Sequence, residues 1–318
     1  MGTYIIRRLV QALFVILLIT FLVFIVIRFL PGDPILLYLS EQQTDTMSEE
    51  QLNKVRAEFG LDKPLPVQYL NWIKDLFRGD LGISLFFHEH VGTLIARRFP
   101  VTLYLGLMAF FLSHILGILF GVISALRRGT GADTVVTLSA NVGITIPIFW
   151  LGILLIYVFG LQLDWLPRFG YTSPFEDFTQ SIRRAILPVI CEAIFPLAAT
   201  ARQTRSSILE VVRQDYIRTA WAKGLRERVI VMKHVLKNGL IPVVTLAGVG
   251  LSLILGGSVL VETVFNIPGM GRLGVEAVFS QDYAIIQAIV LITAVIITTV
   301  NLLVDISYGW LDPRVRYG

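Results

Sequence analysis

Six stretches of this chain are apolar for long enough to cross a lipid bilayer, and nothing else in the sequence restricts the fold as strongly. A hydrocarbon core about 30 Å thick is spanned by about 20 residues of α-helix. The stretches cover approximately residues 9–30, 101–126, 135–160, 185–201, 239–262 and 284–305, the fourth being the shortest. Each is expected to be helical, because a helix satisfies its own backbone groups where there is no water to do so. Composition agrees: 55% of the 318 residues are hydrophobic and only 16% are charged, far more apolar than soluble domains. The first stretch is long and runs into FLPGDP instead of a small-residue cleavage site, so it reads as a retained anchor.

Loop charge sets the expected orientation. Arg7 and Arg8 precede the first span, Arg127 and Arg128 follow the second, and Arg314 and Arg316 lie near the end of the sequence. The richest cluster separates the fourth and fifth spans: Arg202, Arg205, Arg213, Arg218, Lys223, Arg226, Arg228, Lys233 and Lys237. Basic loops stay in the cytoplasm, so all four groups on one side give a six-helix protein with both termini cytoplasmic. Residues 31–98 then lie outside, with ten acidic against seven basic side chains. Two helices are expected there. SEEQLNKVRAEFG offers Ser48 as a cap and Gly60 as a stop. PVQYLNWIKDLFRGD repeats Val67, Leu70, Ile73, Leu76 and Phe77 at helical spacing, while Tyr69 and Trp72 suit a membrane interface. This segment reads either as a structural cap over the outer mouth or as a direct substrate site.

Catalytic signatures are missing from the sequence. It contains no Gly-Lys dipeptide, hence no phosphate-binding loop, and neither H-E-x-x-H nor G-x-S-x-G. The single cysteine, Cys191, lies in an apolar stretch and reads as a buried small side chain. His88 and His90, flanking Glu89, are weak metal candidates without a third ligand.

Polar groups inside the spans are costly unless they face water or a partner. Glu192 stands between Pro188 and Pro196 in the fourth span. Each proline removes a backbone donor and can bend the helix around a cavity. Glu192 therefore reads either as lining a polar translocation path or as a protonated, hydrogen-bonded packing group. Asn141 is a second path candidate; with His114 and Asn301 it also reads as a partner in interhelical hydrogen bonds. Pro147, in TIPIFWLG, predicts a bent third helix, and Arg28 and Asp305 sit where they can snorkel.

The basic loop contains RQDYIRTAWAKGLRERV. Helical spacing puts Ile208, Val212, Tyr216 and Thr219 or Ala220 on one face, with Arg213 and Arg218 off it. Ala220 and Ala222 are small enough for another surface to approach closely, and Gly224 can adopt the left-handed conformation that ends a helix. A second helix, about 226–238, leads into the fifth span. The pattern reads as a helix-turn-helix finger or as an amphipathic helix resting on anionic lipid.

This loop resembles the signature loop of binding-protein-dependent ABC importer permeases, in which a Glu-Ala-Ala triplet precedes a glycine. Arg218, Thr219 and Ala220 occupy the triplet and Gly224 the glycine. The departure from Glu-Ala matches the form DYIRTAWAKGL of the peptide and nickel branch. The resemblance extends through LPGDP, FGLDKPLPVQY, GDLGIS, IPVVT, GGSVLVETVFNIPGMGRL and LDPRVRYG. It implies an all-α integral membrane protein of the type I importer permease fold, with six transmembrane helices and a helical extracytoplasmic segment after the first. Residues 1–98 would form the anchor and that segment, 99–307 the permease core with a coupling loop at about 202–238, and 308–318 a cytoplasmic tail. Implied partners are a second homologous permease subunit, commonly forming a heterodimer, two cytoplasmic ATPases that carry the ATP and magnesium, an extracytoplasmic solute-binding protein and membrane lipid, with no nucleic acid. Asp215, Tyr216, Arg218, Thr219, Ala220, Ala222, Lys223 and Gly224 would then serve ATPase coupling. Asn266, Pro268, Gly269, Gly271 and Arg272 would gate the outer side or touch the binding protein. No cofactor is expected on this chain, and peptides are the expected cargo, with nickel or its chelates, or glutathione, as alternatives. A stand-alone membrane enzyme or channel is the reading from a different class.

Overall fold

The computed structural model describes residues 2–29, 56–57, 60–255 and 259–311. The SEEQLNKVRAEFG helix lies almost wholly outside these, as do LPGDP, residues 256–258, Arg314 and Arg316. Among the described residues the regular elements are helical, beside one isolated bridge between Ile83 and His90. In chain order they begin with α1 (Gly2–Arg28), α2 (Leu65–Phe77), α3 (Val91–Leu126) and α4 (Gly131–Thr145). Next come α5 (Ile148–Gln162), α6 (Phe178–Val212), α7 (Asp215–Ala222) and α8 (Glu227–Gly239). The rest are α9 (Ile241–Leu255), α10 (Val259–Val264), α11 (Met270–Phe279) and α12 (Tyr283–Leu311). Four helices, α1, α3, α6 and α12, are each long and apolar enough to span a membrane, and the bent pairs α4–α5 and α8–α9 make up to six if each pair is one span.

The bends have local causes. Between α4 and α5 the chain turns by 106° at Ile146–Pro147. The proline ring excludes the helical conformation from the residue before it, and Ile146 accordingly sits at φ −67°, ψ 126°. This is the bend expected from Pro147. Between α8 and α9 the bend is 47°. Several helices run past their expected apolar limits: α1 begins at Gly2, α3 at Val91, α6 covers Phe178–Val212 and α12 reaches Leu311. Hydropathy detects only the lipid-facing part of such helices, whereas the polar ends continue them. Asp177 caps α6, its carboxylate accepting from the Gln180 backbone N–H at 2.9 Å.

The chain forms two compact units. One comprises Met1–Val101 and Pro268–Thr298. Here Tyr69 and Trp72 turn inward onto α1: the Tyr69 ring lies 5.2 Å from Phe24 and 5.6 Å from Phe21, and Trp72 stacks 6.3 Å from Phe24. Both rings are half-buried in this packing. Arg28 joins the same packing at the end of α1. Its guanidinium lies 3.5 Å over the Phe24 ring and donates from Nε to Gln68 Oε1 at 2.9 Å. The buried Asp282 accepts from Ser84 Oγ at 2.6 Å and from the Phe86 N–H at 3.2 Å, which fixes the GDLGIS segment to the start of α12.

The other unit comprises Thr102–Ile267 and Thr299–Gly318. Its central element is α6, whose apolar window is 56% buried, against 17% for α1. Glycines let α3 approach α6 closely: a Cβ at Gly121 would stand 2.6 Å from the Ala201 carbonyl oxygen and 2.5 Å from Thr204 Cβ. Gly117 meets Leu197 and Thr200 in the same way. One turn further, Arg205 forms a bidentate pair with Asp133 of α4, at 2.7 Å and 3.0 Å. Asp133 also accepts from Ser124 Oγ at 2.5 Å and the Gly129 N–H at 3.0 Å. This carboxylate therefore joins the end of α3, the following turn, α4 and α6.

Two outcomes follow. Gly121→Val should force α3 and α6 apart, because the obstruction is backbone, and the protein should lose its monodisperse peak in fluorescence-detected size-exclusion. Arg205→Met should remove roughly 1.5–3 kcal/mol of charge-assisted bonding and lower the midpoint of thermal unfolding in detergent. Adding Asp133→Asn should cost less than the sum of the single losses, since both act on one network.

Candidate functional site

The basic loop folds as a short helix held from one side. α6 ends at Val212, Arg213 and Gln214 make a turn, and α7 starts afresh at Asp215. The face expected to run unbroken from Ile208 to Ala220 is therefore interrupted: Ile208 and Ala220 point inward as expected, and Ile217 takes the place of Tyr216. Ile217 and Ala220 are buried with Ala125, Ile208, Ile230 and Val235, while Tyr216 is 45% exposed. A helix of eight residues is not stable alone in water, and burying Ile217 supplies roughly 1.5–3 kcal/mol toward holding it. Tyr216 adds a tie, its hydroxyl accepting from Asn238 Nδ2 at 3.0 Å.

The helix ends as expected at Gly224, with φ +75°. The Gly224 N–H reaches the Trp221 carbonyl at 2.9 Å and the Leu225 N–H the Ala220 carbonyl at 3.4 Å, the paired bonds of a Schellman motif. Asp215, Arg218, Thr219, Ala222 and Lys223 are all exposed; Arg218 pairs with Asp215 at 3.2 Å. Ala220, expected to admit another surface, instead packs against its own chain; its smallness serves the loop's core. The exposed surface of the loop combines Tyr216, Trp221 and Leu225, each more than 40% exposed, with the charged residues.

A second feature lies along α6. Glu192 lines a cavity of about 430 Å³ together with His114, Ile146, Phe195, Thr200 and Val249. Asn141 is exposed on α4 and is not among the lining residues. Of the expected interhelical bonds, Asn301 makes one, accepting from Ser252 Oγ at 3.3 Å. His114 makes its bond within its own helix, Nδ1 donating to the Phe110 carbonyl at 2.9 Å. Cys191 is buried and donates from Sγ to the Ile148 carbonyl at 3.2 Å. Glu262 was not singled out by the sequence. It is 3% exposed, accepts from Thr102 Oγ1 at 2.6 Å and lies within electrostatic range of Glu192. Its acidic position at the end of an apolar stretch was the available signal.

In the FNIPGMGRL segment, Asn266 is exposed at φ 52° and ends α10, with the Ile267 N–H bonded to the Glu262 carbonyl at 2.8 Å. Pro268 is half-buried, Gly269 and Gly271 are buried, and Arg272 pairs with Glu276 at 2.8 Å. Near the other candidate site, His88 has φ 54° in a turn, so it and His90 do not share one face of an extended strand. Glu89 between them is paired with Arg97. Among the described residues no three His, Cys, Asp or Glu side chains group as metal ligands.

A helical membrane protein with an exposed basic finger and an intramembrane cavity has the construction of a transport subunit. Residues 117–317 match the family of binding-protein-dependent transport system inner membrane components, and residues 1–106 match the N-terminal family of the same systems. The chain belongs to this family and is a permease subunit of an ABC importer, a translocation subunit that is not itself catalytic. It is 39% identical to the probable peptide ABC transporter permease protein y4tP of Sinorhizobium fredii, over 100% of both chains. It is also 41% identical to a putative peptide transport system permease of Brucella abortus over 100% of both chains. The oligopeptide transport system permease AppB of Bacillus subtilis is 39% identical over 100% of both chains. In fold it is similar to an inward-facing MetNI methionine ABC transporter structure, with TM-score 0.57 and 18% identity over 69% of this chain and 96% of that one.

Substitutions separate the two faces of α7. Gly224→Ala meets no atom within 4 Å of its new Cβ, so its cost is the left-handed backbone, roughly 1–2 kcal/mol. Ala220→Leu overpacks the loop core, at roughly 1–3 kcal/mol. Both should speed hydrogen exchange across 215–222, whereas Ala222→Leu, on the exposed face, should leave it unchanged.

Proposed function

We propose that this chain forms half of the translocation pathway of an ATP-driven importer of di- or oligopeptides. In this reading α7 is the coupling element, seated in a groove of a separate ATPase that supplies ATP and magnesium. A second homologous permease subunit completes the pathway as a heterodimer, and an extracytoplasmic solute-binding protein delivers cargo. The basic loop and both termini face the cytoplasm, as their arginines and lysines favour. The 266–272 segment lies toward the binding protein.

One observation carries the coupling assignment: α7 is anchored by Ile217 and Ala220 while Tyr216 and Trp221, flanking that anchor, and Leu225, just past the helix end, stay exposed. A solvated loop has little reason to keep three large apolar side chains outward, whereas a docking surface does. The anchor places Ile208 of α6 and both Ile230 and Val235 of α8 in the same cluster. A push on α7 is thereby delivered to two span-forming elements. A partner shifts such an equilibrium only through contacts that differ between states, and ATP-driven closure of the ATPases provides that difference. The peptide assignment is supported by the names of relatives that match over their full length.

Trp221→Ala tests the coupling. Aromatic anchors dominate interface energetics, so uptake and copurification of the ATPase subunits should fall roughly tenfold or more, with thermal stability of the chain unchanged. Undiminished uptake and retention of the ATPases would remove α7 from the interface. Mass spectrometry of what copurifies with the cognate binding protein tests the cargo: short peptides are expected, and uniform metal loading without peptide would redirect the assignment to nickel.

A further inference from the structure

The cavity beside Glu192 is lined by hydrogen-bond acceptors that lack donors. Glu192 is 8% exposed, and among the described residues no hydrogen bond reaches its carboxylate. Pro196, four residues on in the same helix, has no N–H to offer the Glu192 backbone carbonyl, so that oxygen also lacks its helical donor. Because His114 Nδ1 faces the Phe110 carbonyl, it must carry the proton in the neutral ring, which leaves Nε2 as a lone-pair acceptor. Thr200, fully buried, has a hydroxyl without a hydrogen-bond partner and lines the same cavity. No Lys or Arg is in the wall, and the remainder is apolar: Ile146, Ile148, Phe195, Leu246, Val249 and Ile254.

An acceptor cluster with one carboxylate and an apolar surround fits a group that brings several N–H donors, one positive charge and an attached hydrocarbon. A primary ammonium beside an aliphatic or aromatic side chain has this chemistry. A hydrated divalent metal fits less well, since it needs more oxygen donors than these walls carry. Glu262 lies close enough to add to the negative potential at Glu192, with its own carboxylate already engaged by Thr102.

We propose that this cavity receives the ammonium end of the transported substrate, with the Glu192 carboxylate as counter-charge, His114 Nε2 and Thr200 Oγ1 as further acceptors, and the adjoining side chain against the apolar wall. The proposal rests on the peptide reading and adds which end of the peptide the membrane subunit holds.

The test uses the whole importer in proteoliposomes: this chain, its partner permease, the ATPases and the binding protein. Two tripeptide probes carry a diazirine side chain, one at the first residue and one at the third, and both are photolysed with the ATPases trapped by vanadate. The first-residue probe should label the cavity wall, with labelled peptides containing Ile146, Phe195 or Val249. Glu192→Gln should reduce that labelling about tenfold, as loss of one buried charge-assisted bond does, and Glu192→Asp should retain part of it. An N-acetylated probe with a lysine side chain tells the sources apart: labelling by it identifies any primary ammonium as the ligand, and no labelling identifies the α-ammonium. Equal labelling from both ends of the peptide, or wall labelling unchanged in Glu192→Gln while uptake proceeds, would overturn the proposal. So would retention of Ni²⁺ by the wild-type complex and not by Glu192→Gln, which would make the cavity a metal site. If neither probe is taken up by the wild type, the peptide reading itself fails, and the proposal with it.

Discussion

Lipid offers two apolar helices no hydrophobic reason to associate, so their packing depends on close backbone contact. In the unit built around α6, that contact is the approach of α3 through Gly117 and Gly121 to Leu197, Thr200, Ala201 and Thr204. Both glycines occupy one face of α3, four residues apart, and α6 presents small or hydroxyl-bearing side chains opposite them. Once α6 is held there, its remaining features acquire positions: Cys191 against α5, Glu192 in the cavity, Arg205 on Asp133 and Ile208 under α7.

One helix therefore links the basic loop to the cavity. Ile208 and Glu192 are sixteen residues apart on α6, roughly 24 Å at the rise of an α-helix. Between them lies Pro196, a place where the helix lacks one backbone bond and bends more readily. At the α7 end the helix is clamped by the bidentate Arg205–Asp133 pair, which also engages Ser124 at the end of α3. A displacement of α7 would thus be shared among α3, α4 and α6 before it reached the cavity, so these ends would move together. An exposed ion pair would be screened and yield easily; this one is reinforced by two further hydrogen bonds and a half-buried guanidinium.

Much of this architecture is legible in local sequence. The six apolar stretches, the bend at Pro147 and the helix Asp215–Ala222 stopped by Gly224 all depend on residues within a few positions of each other, and all appear in the structure. Readings that needed a choice of face fared differently. Helical spacing groups Tyr216 with Ile208 only along a continuous helix; the turn at Arg213–Gln214 rotates the register and turns Ile217 inward instead. Tyr69 and Trp72 have the composition of interface residues, but that they stack on α1 is set by packing that no local pattern contains. The Gly117 and Gly121 spacing and the acid Glu262 were visible signals that gained meaning only once their neighbours were known.

The sequence by itself determined that the chain crosses the membrane several times, where the apolar stretches fall, and which basic loop carries the small residues and the glycine that ends its helix. Those properties follow from hydropathy, charge and backbone preference, which act over a single turn or span. Tertiary structure alone decided that Ala220 belongs to the inside of the loop and Ala222 to the outside. It also decided that Glu192, and not Asn141, borders a cavity, and that Asp133 is the partner of Arg205. Whether a polar group is satisfied or left open depends on which distant side chains packing brings within about 3 Å of it, and no local pattern contains that information.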